Sequence, residues 1–260
     1  MLRFAANLSM MFTEVPFMDR FESAAKAGFK YVEFLFPYAY AASAIAEKLK
    51  KFGLTQALFN AGAGNWDSGE RGIGALPGRQ EEFAANMDSA ITYARALGNT
   101  RIHVMSGNVA PGADVAEMER VYLDNIRLAA RKFAEYGITV CIEPINHRSM
   151  PQVFLHTQAQ AARYIAELNE PNVKLQFDFF HAQMEEGAPA LKFKEYLPII
   201  GHSQIAGSPE RHEPDIGELR YEYIFKSIEN SGYSGCIGCE YNPAGKTEAG
   251  LGWFSSYQNK

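Results

Sequence analysis

Four short apolar runs in the second half of the chain end in side chains that can hold a cation or carry a proton. "VCIEP" presents Glu143, "LQFDFFH" presents Asp178 and His181, "HSQIAG" presents Gln204 and "IGCEY" presents Glu240. Three carboxylates and an amide brought together would repel one another and be poorly solvated unless a cation or shared protons held them. A divalent metal resolves that conflict. Because all four side chains offer oxygen, Glu143, Asp178, Gln204 and Glu240 are expected to bind a hard ion, magnesium or manganese, rather than a zinc selected by sulfur or imidazole. A single acidic residue at a strand end is more often a helix cap or a solvated carboxylate. Four on consecutive strands reinforce one another through one geometry.

The elements that position them follow from the alternation of short apolar runs with amphipathic stretches. Strands are expected at Phe4 to Met10, Tyr31 to Phe36, Leu54 to Asn60, Arg101 to Ser106, Ile138 to Ile145, Val173 to Phe179, Ile199 to Ala206 and Cys236 to Tyr241. Helices are expected at Pro16 to Ala27, Ala42 to Lys51, Gln80 to Leu97, Asp114 to Tyr136, Thr157 to Leu168, Ala190 to Tyr196 and Tyr221 to Asn230. Gly28, Gly53, Gly137 and Gly232 each stand just before a strand, where a left-handed residue can end the preceding helix. No composition break marks a linker. The expected fold is α/β, a single (β/α)8 TIM barrel over residues 1–260, with an open doubly wound sheet as the alternative.

In such barrels the active site forms at the C-terminal ends of the strands. Alternation puts Gln176 and Asp178 on one face of their strand and Leu175 and Phe177 on the other, against the helices. The same parity groups Glu143 with Cys141 and Thr139, Gln204 with His202, and Glu240 with Gly238 and Cys236. Glu33 and His103 can also face inward, where a satisfied interior polar group is the plainer reading of each. Asn146 and His147 follow Glu143 closely enough to touch substrate or only to stabilise their loop.

Charged loops supply candidates for gripping an anionic substrate. Arg211 and His212 lie in "SPERHEPDIG" and Arg71 follows the third strand. Arginine can hold a carboxylate bidentately, although loop arginines are commonly solvated, a reading that suits Arg71 better than Arg211. Ala61 to Arg79 is rich in glycine and can serve as a lid. It lacks the lysine ending of a P-loop and the strand-to-helix fingerprint of a dinucleotide site. Trp66 within it either covers the pocket or packs locally, and packing is the plainer use.

Bulk composition excludes several classes. With 47% hydrophobic and 21% charged residues, disorder is ruled out, and a net charge of −5 with scattered basic residues argues against a nucleic-acid or anionic-membrane partner. The N-terminal stretch has no continuous apolar core followed by a cleavage site, and no segment has the uncharged length of a membrane span, so a cytoplasmic location is expected. Three cysteines suggest no disulfide framework, and the CxxC of Cys236 and Cys239 has no second pair to complete a zinc site. The aromatic C-terminal stretch "GLGWFSSYQ" can serve self-association into a homo-oligomer or cover the barrel.

Taken together, "FAANLSMMFTEVPF", "VEFLFPY", "GERGIGALPGR", "IEPIN", "QFDFFHAQ", "GHSQIAG" and "GCEYNPAGKTEAGLGWF" resemble the hydroxypyruvate isomerase family across nearly the whole chain. That family belongs to the xylose-isomerase-like barrels and includes enzymes acting on 2-oxo-tetronate. The resemblance implies that Glu143 and Glu240 are the acid/base glutamates, that Asp178 and Gln204 complete the metal site, and that His181 contacts substrate. Related ketose 3-epimerases usually carry histidine where this chain has Gln204, which favours an isomerase. The implied reaction moves a proton between adjacent carbons of a small hydroxy-oxo acid through an enediol. Two other classes share the barrel: a metal-dependent phosphodiesterase, which needs a His-rich cluster and a basic surface, and a binding protein without catalysis. Six histidines and the acidic balance speak against the first, the two glutamates against the second.

Overall fold

A computed structural model describes residues 2–258. Eight parallel strands close into a barrel in sequence order. They are β1 (Arg3–Asn7), β2 (Tyr31–Glu33), β3 (Thr55–Asn60), β4 (Arg101–His103), β5 (Thr139–Ile142), β6 (Val173–Asp178), β7 (Ile200–Ile205) and β8 (Cys236–Cys239). The outer helices are α1 (Phe17–Lys26), α2 (Ala42–Phe52), α3 (Gln80–Leu97), α4 (Val115–Ala134), α5 (Gln158–Leu168), α6 (Phe179–Glu185), α7 (Pro189–Tyr196), α8 (Tyr221–Ser231) and α9 (Gly252–Gln258). The (β/α)8 TIM barrel expected from the sequence is the fold observed, and the open-sheet alternative is excluded because β1 pairs with β8.

Closure depends on both faces of each strand. Leu175 and Phe177 are fully buried on the outer face of β6, where Phe177 meets Phe193 of α7 with ring centroids 5.4 Å apart. Each such side chain contributes about 2–3 kcal/mol of burial. On the inner face the barrel floor is filled by Ala5, Ala57 and Cys236 with Tyr31 against them. Cys236 and Cys239 fall on opposite faces of β8 and are buried free thiols, which removes the redox reading of the CxxC. Gly28, Gly53, Gly137 and Gly232 all have positive φ, as a helix-ending residue before a strand requires.

The strands are shorter than expected at their C-terminal ends. β1, β2, β4, β5 and β8 stop two or three residues early because the chain there leaves the ladder to build the site loops. Glu143 and Glu240 therefore stand just past β5 and β8. α6 was not expected: the apolar pair Phe179 and Phe180 continues the strand pattern, yet Asp178 accepts the Phe180 backbone N–H at 2.7 Å and starts a helix. Trp253 and Phe254 of α9 are buried against Phe4 with centroids 5.2 and 5.9 Å away, so these aromatics cover the barrel internally. No described helix is long and apolar enough to cross a membrane.

Candidate active site

The C-terminal mouth of the barrel brings Glu143, Asp178, His181 and Glu240 together, all buried, with one potential ligand atom from each within 4.8 Å of the others. Gln204 stands on the neighbouring strand, paired with Asp178 in the β6–β7 register. Its amide is held on both sides: Oε1 accepts from Gln176 at 2.7 Å, and Nε2 donates to Glu33 at 2.9 Å. Glu33 is the hub beneath the site. Its carboxylate also takes His202 Nε2 at 2.7 Å and Asn7 Nδ2 at 3.1 Å, so it is the satisfied interior group the sequence suggested. Asn7 reaches Glu240 as well, at 3.4 Å, and was missed in the sequence although it ends its strand as the other site residues do.

His103 departs from the same expectation. Its Nδ1 lies 3.5 Å from Glu143 Oε2, while Nε2 has no partner among the described residues. Burial, with His202 nearby, pushes its pKa down to about 3, so it faces Glu143 as a neutral imidazole. His181 is neutral too, held well below its ordinary pKa by burial and by Arg211. Asn146 fixes its tautomer. The Asn146 oxygen accepts the Ser149 N–H at 2.8 Å, so its Nδ2 is the group facing His181 Nδ1 at 2.5 Å, and the ring proton sits on Nε2, 3.7 Å from Asp178.

Arg211 is the cation of the site. It adopts φ 59° in the loop after β7, stacks 5.1 Å from the Phe180 ring centroid, and donates to Glu240 Oε2 at 2.5 Å. The other two loop candidates have other partners: His212 closes onto the Asn242 carbonyl at 2.7 Å, and the Arg71 guanidinium stacks on Trp66 at 4.0 Å. Trp66 packs against Phe36 at 5.0 Å. The second half of the Ala61 to Arg79 segment is stitched to the end of β4 by Gly74 N–H to Met105 at 3.3 Å and Ala75 N–H to Ser106 at 2.7 Å.

Three carboxylates against one guanidinium leave the mouth electron-rich. Burial, then the charges of Glu240 and Asp178, drive Glu143 well above the usual carboxylate range. Burial also raises Glu240 to about 8 and Asp178 to about 6, each pulled back by Arg211. Glu143 Oε1 and Asp178 Oδ2 are buried without a hydrogen-bond partner among the described residues. Orphaned anionic oxygens converging on one point fit a divalent cation, which would satisfy both and relieve the repulsion.

A family model for xylose isomerase-like TIM barrels matches residues 21–257. The chain belongs to that family. Within it, a protein of Cupriavidus necator named 2-oxo-tetronate isomerase is 52% identical, with 99% of each chain covered. The Escherichia coli protein named hydroxypyruvate isomerase is 44% identical over 99% of this chain and 100% of its own length. A solved structure from Brucella melitensis, called an AP endonuclease of family 2, superposes with a TM-score of 0.97 at 50% identity, covering 99% of both chains. With full-length relatives of this identity, the family member described here is an isomerase.

Proposed function

We propose that this enzyme interconverts the ketone and aldehyde, or the two neighbouring ketone, forms of a small hydroxy-oxo acid. The relatives of higher identity favour 2-oxo-tetronate, converted to 3-oxo-tetronate, over the three-carbon hydroxypyruvate, converted to 2-hydroxy-3-oxopropanoate. The observation that carries the reading is the pairing of Glu143 and Glu240, which leave β5 and β8, with two strands between them on the barrel wall, to meet at one point, Glu143 pushed well above the usual carboxylate range and Glu240 raised to about 8 by burial.

Each residue has a task. One glutamate takes the proton from the carbon beside the carbonyl, giving an enediol, and the other returns a proton or moves one between the two substrate oxygens. Glu143, Asp178, Gln204 and Glu240 are assigned to hold magnesium or manganese. When bound, such an ion supplies positive charge against the negative charge developing on the substrate oxygens. His181 presents its Nε2–H to a substrate oxygen. Arg211, freed from Glu240 once that carboxylate has a stronger partner, turns to the substrate carboxylate.

The name carried by the Brucella structure raises a second reading, phosphodiester cleavage. That chemistry calls for several metals and a basic surface for the polyanion. The buried cluster here contains one imidazole among three carboxylates, and the chain carries a net charge of −5. Steady-state assays of metal-loaded protein with 2-oxo-tetronate, hydroxypyruvate and a neutral ketose test the proposal. Turnover of an acid with none of the ketose is expected; the reverse ranking would replace the isomerase with a sugar epimerase.

A further inference from the structure

A second cluster of ligating side chains lies outside the barrel mouth. His147, in the loop after β5, and Glu185, the last residue of α6, are within hydrogen-bond distance, with Nδ1 2.8 Å from Oε1. The backbone N–H of His147 also donates to Glu185 Oε2 at 3.0 Å, which fixes the carboxylate. An ordinary surface pair would end there. His156, however, brings its ring to a centroid distance of 4.3 Å from His147, and ligand atoms of all three residues lie within 4.8 Å of one another.

The second imidazole is oriented for ligation. His156 Nδ1 faces the Phe154 carbonyl at 3.4 Å, and a carbonyl can only accept. Nδ1 therefore carries the proton, and Nε2 presents a lone pair, the arrangement by which an outer carbonyl sets a metal-binding histidine. The segment bearing it is braced: Gln160 accepts the His156 N–H at 3.1 Å and donates to the Phe154 carbonyl at 3.1 Å. Two imidazoles 4.3 Å apart and tilted by 44° beside one carboxylate suit a cation that coordinates both rings.

We infer that His147, His156 and Glu185 form a separate binding site for a divalent transition metal of the zinc class, with a fourth position open to water. Two nitrogens and one carboxylate oxygen match that class, unlike the oxygen-rich set at the barrel mouth. The site clamps the loop following Glu143 to the end of α6, the helix that carries His181 one turn earlier.

Zinc titration of chelator-treated protein, followed by calorimetry, tests this without reference to activity. Zinc, which accepts carboxylate oxygen and binds generic sites more tightly than manganese, should fill the barrel mouth of the chelated protein as well, so two equivalents per chain are expected. His156→Ala and Glu185→Gln should each weaken one of the two by about tenfold or more while leaving the other, and Asp178→Asn should do the opposite. Thermal melts of the metal-free variants show whether each folds. Unaltered zinc stoichiometry and affinity in both folded variants, or a single equivalent abolished by Asp178→Asn, would overturn the assignment.

Discussion

Arg211 donates to Glu240 at 2.5 Å, and the same nitrogen lies 3.7 Å from Asp178. One guanidinium thus partly neutralises two of the three carboxylates that the barrel forces together. A residue so placed competes with a metal for those oxygens and, once displaced, stands ready for an anionic substrate. Arg211→Ala is expected to raise KM for the acid by tenfold or more, on the order of the 1.5–3 kcal/mol of a charge-assisted hydrogen bond. Arg211→Lys should recover only part of this, because the stacked, forked contact is lost. An unchanged KM in Arg211→Ala would remove the residue from substrate binding.

Glu143→Gln and Glu240→Gln keep the shape of each side chain but cannot carry the proton. Each is expected to lower kcat by about 10²–10⁴, the usual scale of general acid/base catalysis. Melting temperatures of the metal-free proteins near neutral pH should change little, since each change replaces a carboxyl that burial holds toward its protonated form with a neutral amide of the same shape. Near-normal kcat in either variant contradicts the assignment.

Metal removal should expose the repulsion. A carboxyl whose folded pKa lies above its unfolded value favours folding while protonated, and that advantage is lost as pH rises through the folded value. With Glu240 raised from 4.5 to about 8, the chelated protein should lose stability between about pH 5 and 8. The loss is of order several kcal/mol, at about 1.4 kcal/mol for each tenfold change in proton affinity, with the pull of Arg211 already included. Glu240→Gln should flatten this slope and added magnesium or manganese should abolish it. Melting curves at several pH values decide; equal slopes in the metal-free wild type and Glu240→Gln would refute the electrostatic account.

Gly238 lies on the inner face of β8 against the Glu33 carboxylate, with no room for a Cβ. Gly238→Ala must push Glu33 off its three partners, His202, Gln204 and Asn7. A destabilisation of about 1–3 kcal/mol is expected, together with reduced kcat through the shifted Gln204. Denaturant titration measures the first and steady-state assay the second.

Much of this arrangement was legible in the sequence for a specific reason. Inward and outward residues alternate so regularly on β6 that Asp178 and Gln176 had to share a face opposite Leu175 and Phe177. Strand-end position then singled out Glu143, Gln204 and Glu240. What the sequence hid depends on long-range closure. The choice of Arg211 over Arg71 or His212 is made by how one loop folds back across Phe180. Glu33 as the hub, and the approach of His103 to Glu143, arise only when the barrel closes: the first is a contact across its interior from β2 to β7, the second one between neighbouring β4 and the end of β5. α6 escaped because two phenylalanines continue a strand pattern that a side-chain cap interrupts.

The most direct test of the proton-transfer proposal is proton NMR in deuterated water, with metal-loaded protein and 2-oxo-tetronate or hydroxypyruvate as substrate. The account predicts product formation with solvent deuterium entering at the carbon beside the carbonyl, lost together in Glu143→Gln and Glu240→Gln. Neither product nor exchange with folded, metal-loaded wild-type protein on either acid would contradict it.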